Sequence, residues 1–338
     1  MHPDALGSVG RVPHGGESDP AVLDFSANTN PERPPGVADV YAEALEGSRR
    51  YPDDDYPEFR AAAAEYVGCD PGHVIASPGG LAGMRLAFEA TLTAGDSALV
   101  PYPSFSEYAR EVRLQGADPE FVPHDAILGA DPSGHALAVV CTPNNPTGEA
   151  ADPEALRRFA RRCRESETDL LVDEAFLDYT GLASLAGEPG AVVARSLTKV
   201  FGLPGLRAGF LVAEGDLRAR LAAARPPWNL STPAARVGAR CLRATDFVGE
   251  TRERTDRERE RLRTRLEPAY DVAPSDAPFL LLDTRERDPE QVVARARDRG
   301  VAVRDATTFR GLRNHVRVAV KRREGNDELL RALPGVGP

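Results

Sequence analysis

Residues 195–210 read RSLTKVFGLPGLRAGF. An apolar run, AVVARSL, leads into the stretch and reads as a strand. The chain then turns polar, with Ser196, Thr198 and Lys199 close together and Arg207 further on. Lysine is scarce here: of 42 Lys and Arg residues, only Lys199 and Lys321 are lysines. A guanidinium stays protonated and its nitrogen is a poor nucleophile. An amine can lose its proton and condense with an aldehyde. Lys beside Ser and Thr hydroxyls, followed by an Arg, is the composition of an amine nucleophile next to a phosphate clamp.

Working outward, apolar strands alternate with helices. HVIAS, DSALVP, ALAVVCT, DLLVDEAF and AVVARSL read as strands. Val37 to Leu45, EFRAAAAEYVG, LAGMRLAFEATL, SEYAREVRLQ and the segment opened by Asp152 and Pro153 read as helices. Continuous apolar strands imply a buried, mostly parallel sheet sandwiched by helices. Ligands of such sheets lie at the carboxyl ends of the strands. After a long charged helix near 246–266, FLLLD, VAVRD and HVRVAV flank the helix PEQVVARARDRG, which predicts a smaller α+β domain. The expected division is an N-terminal arm over 1–36, extended and Gly/Pro-rich, a large domain over 37–240 and a small domain over 241–338.

The bulk numbers restrict the function classes. The 338 residues are 41% hydrophobic and 28% charged, with a net charge of −10. That balance speaks against a nucleic-acid partner. No signal peptide and no long uncharged apolar run is present, so no membrane partner is expected and the expected location is the cytoplasm. Cys69, Cys141, Cys163 and Cys241 are widely spaced, and neither they nor the six His show metal-ligand spacing. Free thiols and no metal are expected.

Two further stretches complete a constellation. VDEAF puts Asp173 at the end of a buried strand, and TPNNPTG puts Asn144 and Asn145 in a turn after another. A buried carboxylate facing a heterocyclic nitrogen, an amine nucleophile and a phosphate clamp are the requirements of pyridoxal phosphate chemistry, in which the ring is an electron sink. No GxGxxG follows a strand, and neither GxxxxGK[ST] nor GxSxG occurs, so dinucleotide, P-loop and nucleophile-elbow readings lose their support.

SLTK with GLPGLRAG, PNNPTG and DEAF, in this order, resemble fold-type I pyridoxal-phosphate enzymes of the aspartate aminotransferase superfamily. The resemblance covers nearly the whole chain. It points to the branch that holds histidinol-phosphate aminotransferase and threonine-phosphate decarboxylase. It implies that pyridoxal 5'-phosphate is the cofactor and that Lys199 is the residue bonded to it. Ser196, Thr198 and Arg207 are its implied phosphate ligands, with the backbone N–H groups of Gly80 and Leu81 at a helix N-terminus. Asp173 would face the pyridine nitrogen, Asn145 the phenolic oxygen, and Phe105 would stack on the ring. Tyr51 would reach the phosphate of a neighbouring subunit, which implies a homodimer. Arg317 would grip the substrate carboxylate. The chain departs from the pattern at Phe176, where many relatives have Tyr, and at Pro78 and Gly80 in the phosphate loop.

HGG at 14–16 and LDFSANTNP at 23–31 resemble the opening of threonine-phosphate decarboxylases. That makes His14 and Asn30 substrate-side candidates for a phosphorylated amino acid. The implied reaction is decarboxylation of O-phospho-L-threonine to (R)-1-amino-2-propanol O-2-phosphate for cobalamin biosynthesis. The alternative is a histidinol-phosphate-type aminotransferase. The two reactions differ in which bond at Cα stands perpendicular to the ring, a matter of fine positioning. A non-catalytic regulator of this fold would carry an appended DNA-binding domain, and none is expected before the arm. Trp228 is expected to pack near the interdomain hinge, and His315 to be structural.

Overall fold

The computed structural model describes residues 1–337. Seven strands form the large sheet, in the spatial order Val74–Ser77, Gly209–Val212, Ala191–Ser196, Asp169–Asp173, Leu137–Cys141, Ser97–Tyr102, Asp118–Pro123. All run parallel except Gly209–Val212, which is antiparallel to both its neighbours. Strands such as Leu137–Cys141 and Ala191–Ser196 are buried along their whole length. Helices cover both faces, as continuous apolar strands require. Phe59, Phe159, Phe201 and Phe210 belong to the core on one face, and Met84, Phe88 and Tyr108 to the core on the other.

A second sheet of four antiparallel strands is built from Arg304–Asp305, His315–Ala319, Phe279–Asp283 and Asp271–Val272. Helices Thr245–Leu266, Pro289–Asp298 and Arg323–Ala332 complete this part of the molecule. The long helix is not solvated all round: Val248, Thr251, Thr255, Glu258, Leu262 and Leu266 form its buried seam.

Several local expectations are refined. Asp152 caps the helix Pro153–Glu165, its carboxylate accepting from the Ala155 N–H at 2.7 Å. The strand in DLLVDEAF stops at Asp173; the rest turns into a short 3-10 helix, Leu177–Tyr179. The expectation of a wholly extended arm fails at Pro3–Leu6, which form one helical turn, with the N–H of His2 bonded to the Leu114 carbonyl. Further along, Leu23–Asp24 pair in parallel with Val301–Ala302, and Phe25 joins the core of the smaller sheet. The arm thus runs from the large sheet's helices to the small sheet.

Candidate active site

The loops after Val74–Ser77, Leu137–Cys141, Asp169–Asp173 and Ala191–Ser196 converge on a cavity of about 410 Å3. The arm, through His14, Ser26 and Asn28, and the small sheet, through Arg304 and Arg317, close its other side. Of the sequence candidates, Lys199, Asp173, Asn145, Phe105, Ser196, Thr198, Arg207, Gly80, Leu81, Arg317 and His14 all line it. Asn30 and Tyr51 do not.

Asp173 is buried at its strand's carboxyl end. It accepts the Tyr108 hydroxyl at 2.6 Å and the Ala175 N–H at 3.0 Å. Burial pushes its pKa up, while those two hydrogen bonds and the charge of Lys199 oppose the rise. The Lys199 ammonium lies 5.5 Å from the centre of the Phe176 ring. Burial first, and then the charges of Arg317, Arg207 and Lys321, draw its pKa down to about 8 against the pull of Asp173. An amine so placed is available as a nucleophile near neutral pH.

A phosphate cradle stands at one end. Helix Gly80–Thr91 starts without a side-chain cap, so its first N–H groups are free for an anion. Gly79 has φ +96°, and a Cβ there would lie 2.7 Å from an Arg207 guanidinium nitrogen. A Cβ on Gly80 has ordinary backbone geometry but would meet the Ser196 Cβ at 3.0 Å. The Ser196 and Thr198 hydroxyls are 2.8 Å apart at the same end. These residues suit a cofactor phosphate, and in the same cavity Lys199 and Asp173 offer the amine and the carboxylate that its aldehyde and ring nitrogen require. The residues present therefore fit pyridoxal phosphate.

Arg317 occupies the far wall. It is 5% exposed, donates to Asn145 Oδ1 at 2.5 Å and to the Ser26 carbonyl at 2.7 Å, and leaves Nε without a partner. Arg304 is its register partner on the adjacent strand. Arg304 holds the arm through the Pro13 carbonyl at 2.8 Å and the His14 carbonyl at 3.3 Å. Burial, with Arg304 second, disfavours the charged form of Arg317. His14 bonds Glu107 at 2.8 Å and stands 5.8 Å, ring to ring, from Phe105.

Asn30 is a latch rather than a wall residue. Its amide donates to the Val200 carbonyl at 2.7 Å and to Thr251 Oγ1 at 3.2 Å, and its oxygen accepts from Arg254 at 2.6 Å. Asn28, two residues earlier, is the one facing the cavity. Tyr51 is 79% exposed, and its ring lies 4.6 Å from that of Trp228, itself 50% exposed. Trp228 is thus a surface residue rather than one packed at a hinge.

Sequence reasoning missed Tyr108, Arg304 and Asn28. Tyr108 had a signal, three residues after Phe105 in PSFSEY. Arg304, in VAVRD, shows its part only through strand register. Behind the site, Arg195 is buried between Glu174, at 2.9 Å, and Asp178, and braces the strand that delivers Ser196.

The model of the family "Aminotransferase class I and II" matches residues 20–333. The chain belongs to that family. Its α/β architecture is that of fold-type I enzymes, and its cofactor is pyridoxal 5'-phosphate. Histidinol-phosphate aminotransferase 2 of Archaeoglobus fulgidus is 31% identical over 329 residues, covering 93% of each chain. Threonine-phosphate decarboxylase of Salmonella typhimurium is 31% identical over 345 residues, covering 95% of this chain and 93% of that one. Among solved structures, histidinol-phosphate aminotransferase from Clostridium acetobutylicum superposes with a TM-score of 0.84 at 23% identity, over 93% of this chain and 98% of that one. The relatives place the chain in the branch that holds both enzymes. No helix among the described residues is long and apolar enough to cross a membrane.

Proposed function

We propose that the protein decarboxylates O-phospho-L-threonine to (R)-1-amino-2-propanol O-2-phosphate, acting as a homodimer in the cytoplasm. One observation carries the choice of a doubly anionic substrate. Arg304 and Arg317 are direct register partners, both buried, and neither forms an ion pair among the described residues. Like charges directly opposite on neighbouring strands are destabilising unless something neutralises them. The cofactor phosphate has its own cradle at the other end, so these two arginines call for anionic groups of the substrate. A carboxylate together with a phosphate supplies them.

When bound, the pyridoxal ring draws electrons from the substrate's Cα so that a bond to it can break. Arg317 holds and orients the carboxylate, with Asn145 fixing the guanidinium. Asp173, whose ionised form Tyr108 and the Ala175 N–H favour against burial, would pair with the protonated ring nitrogen. Lys199, with its lowered affinity for protons, gives a proton to Cα after CO2 leaves. Arg304 and His14 receive the distal phosphate. The rings of Phe105 and Phe176 exclude water from the cavity.

The decisive experiment gives the cofactor-loaded enzyme each substrate separately. Release of CO2 from phosphothreonine, without amino transfer, supports the reading. Amino transfer between histidinol phosphate and 2-oxoglutarate with no CO2 release from phosphothreonine sinks it. This second reading, an aminotransferase of the histidinol-phosphate type, is favoured by the equal identity of the Archaeoglobus relative.

A further inference from the structure

Lys321, the second of the two lysines, enters the mechanism above only as one of the charges that lower the proton affinity of Lys199. It follows the strand His315–Ala319 that carries Arg317. Its backbone is fixed on both sides by one buried side chain: the Lys321 N–H donates to Asn326 Oδ1 at 2.9 Å, and its carbonyl accepts from Asn326 Nδ2 at 3.1 Å. Asn326 Nδ2 also donates to Glu258 at 2.8 Å, tying the assembly to the helix Thr245–Leu266.

From that base the ammonium reaches into the arm. It donates to the Ala27 carbonyl at 3.1 Å, the Thr29 carbonyl at 2.8 Å and Thr29 Oγ1 at 3.3 Å. Between those acceptors stands Asn28, 4% exposed, lining the cavity, with an Oδ1 that has no partner. The flanks are held elsewhere: Ser26 by Arg317 at 2.7 Å, and Asn30 through its N–H to the Lys199 carbonyl at 3.0 Å. In the middle, Asp24 accepts the Ala27 N–H at 3.1 Å, and Lys321 holds the carbonyls of Ala27 and Thr29.

We propose that Lys321 is a positioning residue whose ammonium fixes the Ala27–Thr29 turn, so that the Asn28 amide meets the distal polar group of the substrate. The proposal rests on the reading of the cavity as the substrate site, and it explains why this position is not arginine. Three oxygens converge on one nitrogen, which suits the three donors of an ammonium and not the planar fork of a guanidinium. The group forms no ion pair among the described residues, and burial disfavours its charge against the pull of Asp24. A group retained at a cost to folding points to a role in the site rather than in stability.

The test uses the cofactor-loaded enzyme with K321M, K321R, N28A and the K321M/N28A double variant. K321M should raise KM about ten-fold and leave kcat within about three-fold, with no loss of thermal stability. Amide exchange across residues 27–30 should quicken by about ten-fold while the rest of the chain is unchanged. K321R should share the KM defect. The double variant should be no worse than N28A, as expected of two residues acting through one contact. An unchanged KM in K321M, normal KM in K321R, additive single effects, or a fall in kcat alone would each overturn the proposal. Should K321M not fold, K321R and N28A carry the test. The exchange measurement needs no substrate, so its failure is separate from a failure of the decarboxylase reading.

Discussion

Lys199 shows how one residue type is selected by its chemistry. Its pKa of about 8 lies below the ordinary lysine value of 10.5. Capture of pyridoxal phosphate by cofactor-free protein should therefore speed up with pH and level off above about 8; a midpoint near 10 would contradict the burial argument. Linkage gives a second reading of the same group. Between about 8 and 10.5 the unfolded chain binds more protons at this site than the folded one. Cofactor-free protein should accordingly gain stability over K199M as pH rises through that window, which denaturant titrations can follow. Tyr108 acts one step removed. In Tyr108→Phe the Asp173 carboxylate loses its hydroxyl donor, and its pKa rises further. A fall in kcat of roughly ten-fold and faster loss of cofactor on dialysis are expected, charged hydrogen bonds being worth about 1.5–3 kcal/mol. Unchanged cofactor retention would deny Tyr108 this role.

At the scale of elements, the site is a set of strand ends and one helix start. Gly79 is the point where backbone shape and ligand space coincide. In Gly79→Ala the left-handed φ is strained and the new methyl displaces Arg207. Cofactor affinity should fall about ten-fold or more while far-ultraviolet circular dichroism stays the same. Equal affinity would mean that the cradle is looser than its contacts suggest. The strands that bring the site together were legible because Val, Ile, Leu and Ala run unbroken through them. Gly209–Val212 was not read, because GFLV is short and shares its stretch with the lysine motif. Asp118–Pro123, DPEFVP, carries two prolines at a sheet edge and lacks a strand pattern. Lys199, Asp173 and Asn145 were legible because each sits in a local motif. Arg304 was not, because its partner Arg317 is close only across a strand pair. Within SANTNP, alternation would put Asn28 and Asn30 on one side; the turn in which the Thr29 N–H bonds the Ala27 carbonyl at 3.0 Å separates them, and sequence does not show that turn.

At the scale of the molecule, the surface carries Tyr51 and Trp228 stacked and exposed. In the proposed homodimer this pair faces the other copy, with Tyr51 reaching its cavity. Trp228 is the chain's single tryptophan, so intrinsic fluorescence should shift on dilution along with dissociation in sedimentation. Tyr51→Asp should favour the monomer and lower activity in proportion. A monomer that retains full activity at every concentration would refute both points.

The confinement of both lysines to this region also makes the protein its own reporter. One amine opens into the cavity and the other braces its rim. Biosynthetic labelling with carbon-13 lysine would therefore place lysine resonances only where ligands and the arm act. Each event at the site could then be followed by name in solution, with no engineered probe.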